Sequence, residues 1–144
     1  MLIREFLENI KKNLVTCRPE STLIIAAQLL TKNRIGAMPV LTAEGDLAGI
    51  VSERDLVREF ATRSSELQTL KVEDVMTRNV ITISPDDAAT VAAGLMGKHG
   101  IRHLPVVEDR KVLAVISIRD IVSARIADAA SKTKRLREFV DRVQ

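Results

Sequence analysis

The chain has 144 residues, 46% hydrophobic and 2% aromatic, so a packed interior has to be built from Leu, Ile, Val, Ala and Met. Net charge is +3, with Lys and Arg mixed among Asp and Glu throughout, which speaks against a nucleic-acid binder needing a basic stripe or stacking aromatics. A single cysteine, Cys17, excludes an internal disulfide, and no apolar leader or membrane-length run is evident, so the expectation is a soluble cytoplasmic protein.

Ile3, Phe6, Leu7 and Ile10 recur at helical spacing and predict a short helix over 3–10. A strand is expected at Leu14 to Cys17, broken by Pro19. Ser21 or Thr22 can cap a helix through IIAAQLLTKN that ends before Gly36. Ala37 to Leu41 and Leu47 to Ser52 read as a hairpin turning at Ala43 to Asp46, and Glu53 to about Arg63 as a helix. A polar connector runs from Arg63 to Lys71, and one helical turn over Val72 to Met76 restarts the cycle. A strand at Val80 to Ile83, the breaker Pro85, a helix from Asp86 or Asp87 to His99 and a second hairpin (His103 to Val107, Lys111 to Ser117) follow. A long helix begins near Ile118.

The two halves are copies. Thr16, Pro19, Ile35 and Pro39 recur as Thr82, Pro85, Ile101 and Pro105 at an offset of 66, while Ser52 and Asp55 recur as Ser117 and Asp120 at 65. The lost residue falls in the hairpin turn, where a deletion costs least. Two strand-helix-strand-strand-helix units, each with an exposed apolar sheet face, are expected to pack face to face about a pseudo-two-fold axis as an α/β sandwich with two related clefts. The expected divisions are residues 3–63, a linker over 64–71, residues 72–127, and a helical extension over 128–144.

Ser52 with Asp55 and Ser117 with Asp120 place S-x-x-D at matched strand-to-helix junctions. The plainer reading is a capping box, the hydroxyl accepting a first-turn N–H and the carboxylate sitting at the positive helix end. The sharper one is a ligand site. A helix N-terminus with a hydroxyl suits phosphate, and a carboxylate one turn on can accept two hydrogen bonds from ribose hydroxyls.

The paired segments IGAMPV…GIVSERDLV and IRHLPVV…AVISIRDIV, with VEDVMTRNVITISP entering the second copy, resemble tandem CBS domains, named for cystathionine β-synthase. The resemblance covers essentially residues 3–127 and implies a non-catalytic sensing module for adenosine-containing ligands: AMP, ADP, ATP, NAD or S-adenosylmethionine. It implies that each cleft takes hydroxyl and carboxylate from one repeat and its adenine-lining backbone from the other. Carried over, the first cleft uses Ser117 and Asp120, with Arg102 on phosphate and Asn13, Leu14, Ile35, Gly36 and Ala37 around the base. The second uses Ser52 and Asp55, lined by Arg78, Asn79, Val80, Ile101 and His103. Arg54 and Arg119, inside the S-x-x-D patterns, either reach phosphate or belong to a solvated helix face. Repeat one has Gly36 where repeat two has Arg102, so the Asp120 cleft is expected to favour phosphorylated ligands.

His99 and His103 are four apart, but Gly100 separates them at a helix end, so no metal site is expected. Cys17 reads as a buried strand thiol, and Met38, Met76 and Met96 as core. The last helix carries Ile121, Val122, Ile126, Ala129, Leu136, Val140 and Val143 among Lys and Arg. That stripe folds back on Phe6 and Ile10, packs on another subunit as a homodimer, or, as the lesser option, lies on a membrane surface. No nucleophile or base with an orienting partner marks an enzyme. The rival to a sensor is a structural dimerisation module whose clefts have lost their ligand. A regulated partner would be a separate, unidentified protein.

Overall fold

The computed structural model describes residues 1–10 and 13–143. Each half is organised by one antiparallel hairpin followed directly by a helix. In the first, β1 (Ala37–Leu41) pairs with β2 (Leu47–Ser52), which runs into α3 (Glu53–Arg63). In the second, β3 (His103–Glu108) pairs with β4 (Lys111–Ser117), which runs into α6 (Ile118–Val143). Both ladders shift register at matched points, Val40/Leu41 and Val106/Val107, so the repeat extends to the bulge.

The helix before each hairpin, α2 (Leu23–Asn33) or α5 (Ala89–His99), ends on a left-handed residue, Arg34 at φ 53° or Gly100 at φ 63°. Thr22 caps α2 by accepting the Ile25 N–H at 3.2 Å. The expected start of α5 at Asp86 or Asp87 moves to Ala89, because the Asp87 carboxylate accepts the Ser84 N–H and holds a turn ahead of the helix. The strands expected at Leu14–Cys17 and Val80–Ile83 shrink to single parallel bridges, Cys17 to Val40 and Ile83 to Val106. Each bridge residue makes two backbone bonds to its neighbour strand, and no ladder continues beyond it.

The short opening helices are exchanged. α1 (Ile3–Ile10) precedes the first repeat, yet Ile3 and Phe6 pack in the second repeat's core with Ile83, Met96, Leu104 and Ile116. α4 (Val72–Val75) precedes the second repeat, yet Val72 and Val75 pack in the first core with Leu23, Met38, Val40 and Val51. Backbone bonds repeat the exchange: the Arg4 N–H donates to Pro85 O at 2.8 Å, the Glu73 N–H to Pro19 O at 3.0 Å. Arg4 adds ion pairs to Asp86 and Glu108, whose hydrogen bonds hold the guanidinium in its charged form. The α/β sandwich therefore has two cores, each completed by the other repeat's leading helix.

Gly49 on β2 permits a close crossing at this junction. A Cβ there would lie 2.7 Å from both Met76 Sδ and Thr77 O, which is the segment that exchanges two backbone bonds with Ile50. Met38, Met76 and Met96 are buried, as is Cys17, whose thiol burial pushes up to about 11. The start of α6 folds back through Ile121 into the core containing Phe6, but Ile126, Leu136, Phe139 and Val143 are exposed. Gln144, the end of the expected extension, lies outside the described residues.

Candidate functional site

The turn from each second strand into its helix is tightly tied. At the first, the Ser52 N–H donates to Asp55 Oδ2 at 2.9 Å, the Asp55 N–H donates back to Ser52 Oγ at 3.3 Å, and the Ser52 hydroxyl lies 3.1 Å from Asp55 Oδ2. At the second, the Ser117 N–H donates to Asp120 Oδ2 at 2.9 Å and the Asp120 N–H to Ser117 Oγ at 3.1 Å. The plainer reading is thus realised: both carboxylates cap their own helices. Both helix tips nevertheless border a cleft. The Glu53 N–H donates to Gly36 O and the Ile118 N–H to Arg102 O, which fixes each tip beside the approach to its hairpin, where a cleft begins.

The larger cleft, about 610 Å³, has Ser117, Arg119 and Asp120 at the start of α6 as one wall. Asn13 and Leu14 line it from the other repeat, with Ile35 and Gly36 between α2 and β1, Ala37 at the start of β1, and Arg102. All eight residues expected there are gathered, together with Val15, Asn33, Arg34, Glu53, His103, Val115 and Ile118. The smaller cleft, about 320 Å³, collects Ser52, Arg54 and Asp55 with Asn79, Val80, Ile101 and His103. Ile50, Thr77, Ile81 and Gly100 complete much of its wall. Arg78 is not among the lining residues; its guanidinium donates to Glu73 O at 3.1 Å.

The two clefts meet. Gly36, Ala37, Glu53, Arg102 and His103 line both, so the division expected between Arg102 in one cleft and His103 in the other is not kept. Glycine at 36 makes the meeting tight, since a Cβ there would stand 3.1 Å from the His103 ring and 3.7 Å from Glu53 Oε2. His103 opens β3 while His99 ends α5 and is exposed, so the pair does not share one helix face; among the described residues no cluster of three or more ligating side chains is found.

The clefts also differ chemically. The larger is lined by Arg34, Arg102 and Arg119 against Glu53 and Asp120. The smaller has Arg54 and Arg102 against Glu53 and Asp55. Arg58, one turn into α3, donates from Nη2 to Asp55 Oδ1 at 2.8 Å, whereas Ser123 stands at the matching point of α6. Glu53 was the most legible of the residues missed, since it immediately follows Ser52 in S-E-R-D. Arg34 and Arg58 carried no such mark.

The CBS domain family model matches residues 3–62 and 72–127. The mitochondrial CBS domain-containing protein CBSX3 of Arabidopsis thaliana is 30% identical over 86% of this chain, which spans 62% of that relative's length. The solved CBS domain pair of protein MJ0100, in complex with 5′-methylthioadenosine and S-adenosyl-L-methionine, is 29% identical with a TM-score of 0.79, covering 89% of this chain and 98% of that one. The CBS domain protein PAE2072 of Pyrobaculum aerophilum, complexed with AMP, is 31% identical with a TM-score of 0.76, covering 83% and 89%. With two matched repeats over most of its length, the chain belongs to the CBS domain family.

Proposed function

We propose that the chain is a non-catalytic regulatory module that binds an adenosine-containing ligand in the Asp120 cleft. The observation that carries this is the gathering, around one 610 Å³ opening, of a hydroxyl and carboxylate at a helix tip, a guanidinium, and an apolar wall from the other repeat. The Ser117 hydroxyl and the Arg119 N–H at the tip of α6 suit a phosphate. Asp120 suits ribose hydroxyls, Arg102 adds a fork of donors, and Leu14 and Ile35 offer an aliphatic seat for a base. The relatives bound to AMP, 5′-methylthioadenosine and S-adenosylmethionine support the ligand class. AMP, ADP, ATP, NAD and S-adenosylmethionine are the candidates.

Ligand acts as a signal only where it prefers one arrangement of the repeats. The exchanged helices supply an element that feels both, because each cleft draws its walls from both repeats. Exposed apolar residues at matched positions, Val57 and Val122, support a homodimer through α3 and the start of α6. Among the described residues no helix is long and apolar enough to cross a membrane. The regulated partner is a separate protein, and the setting is cytoplasmic. A second reading, a structural dimerisation module, draws support from the two complete capping contacts, which would persist without any ligand.

A melting screen separates the two. Ligand at a hundred times its Kd stabilises by about 2.7 kcal/mol, a rise of roughly 5–10 °C for a chain of this size. Flat curves with all five compounds favour the structural module.

A further inference from the structure

We infer that the distal arm of α6 is a docking seam for an acidic amphipathic helix of another protein. Ile121 is buried in the second core and Ala124 packs against it, but from Ala129 to Val143 every residue is exposed. About 20 Å of helix therefore stands clear of the body. Its apolar residues keep coiled-coil spacing: Ile126, Ala129, Thr133, Leu136, Val140 and Val143 follow one another at alternating steps of three and four, and Thr133 alone among them is polar. Ile121 and Ala124 lie roughly a third of a turn from this line, so the seam faces outward. Ile126, Leu136 and Val143 are 66%, 64% and 70% exposed, and Phe139 widens the seam near its end. A helix without tertiary contacts is marginal in water, and a partner that covers this line supplies what the body does not. What the arm offers is independent of what the clefts bind.

The charges beside the seam choose the occupant. Its flanking positions hold Arg125, Lys132 and Arg137, with Ala130 and Phe139 between them, while Asp128, Glu138 and Asp141 lie away from it. Residues 132–143 carry five cations against two carboxylates, which equals the whole chain's net charge of +3. Flanking charges set partner choice in paired helices. A second copy would bring cation towards cation in either orientation, whereas a helix with Asp or Glu on its flanks meets opposite charge. Lys132 also pairs with Asp128 at 3.3 Å, an exposed contact of the weak kind that a partner carboxylate can replace. A lipid surface fits less well, because the middle of the seam, Ala129 and Thr133, is too small to fill an acyl boundary.

A labelled peptide of about three heptads, with Leu along its seam and Glu on both flanks, is titrated into the full chain by fluorescence anisotropy, beside a twin with Lys on both flanks. The acidic peptide is expected to bind at least about tenfold more tightly than the basic one. Lys132→Glu combined with Arg137→Glu reverses that order. Leu136→Glu weakens the acidic peptide at least about tenfold and leaves the melting curve in place, since Leu136 is exposed. Equal affinity for the two peptides, or none for either, overturns the inference. A sedimentation mass that falls from dimer to monomer in Leu136→Glu overturns it in favour of a second copy. Binding to phosphatidylserine vesicles that Leu136→Glu abolishes, with neither peptide bound, overturns it in favour of a membrane surface.

Discussion

The two repeats share register, bulge and capping geometry, yet their clefts are unequal in size and lining. Asp55 is 7% exposed and Asp120 partly exposed, and Arg58 on α3 gives way to Ser123 on α6. The lesson is that fold symmetry is kept by backbone contacts near the hairpin, whereas chemistry is set by a few side chains on the helix that follows. Glu53 against Ile118 and Gly36 against Arg102 add to the same contrast. A pseudo-symmetric scaffold can in this way carry two clefts of different lining without altering its core.

The sharpest way to break the symmetry is through the exchanged helices. Phe6, 1% exposed in the second core, has only Val72 and Val75 as counterparts in the first. Phe6→Ala is expected to cost about 3–5 kcal/mol, and Val72→Ala less, since it removes fewer buried atoms. Urea unfolding measures both. Equal losses would mean that the helices contribute alike and that the aromatic anchor is incidental.

Next in size is the close crossing at Gly49. Gly49→Ala places a methyl against Met76 Sδ and Thr77 O, and the resulting shift is expected to destabilise by about 1–3 kcal/mol. The matching residue, Ala114, already carries that methyl, so Ala114→Gly should cost about 1 kcal/mol or less. A neutral Gly49→Ala would show that the Met76–Thr77 segment yields freely.

The smallest effect is on pH dependence. The hydrogen bond from Arg63 Nε to Glu59 Oε2, 2.6 Å, holds Glu59 below the usual carboxylate range, and Ala124 occupies the matching place in the second repeat. A carboxyl with a depressed folded pKa contributes stability that is present above its unfolded value, near about 4.3, and lost as pH falls through the lower folded value. The melting difference between the parent and Glu59→Gln should therefore shrink on acidification below about pH 4. A difference that stays constant across that window would remove the ion pair from the account.

What could be read before any coordinates was local. Hairpins, caps and helix stops are set by neighbours a few residues apart, so β1 to α3 and β3 to α6 were legible, whereas the part of the larger cleft's lining that was expected came from family resemblance. The exchange of α1 and α4 was not, because an apolar face such as Ile3 and Phe6 does not state which core it fills. The strands at Leu14–Cys17 and Val80–Ile83 were over-read because an apolar run carries no record of how many partners its backbone finds. Arg78 was assigned to the smaller cleft by resemblance, but a carbonyl five residues back, Glu73 O, is a nearer partner for a long exposed side chain.

Calorimetric titration of AMP into the parent, Asp120→Ala and Asp55→Ala decides whether the Asp120 cleft is the principal adenosyl site. Loss of the cap is expected to lower stability by only about 1 kcal/mol in either variant, so both remain folded for the comparison. Saturable binding to the parent is expected, weakened at least about tenfold, or about 1.4 kcal/mol, by Asp120→Ala and little changed in the tighter site by Asp55→Ala. Equal binding to parent and Asp120→Ala, or a greater loss in Asp55→Ala, would place the principal site elsewhere.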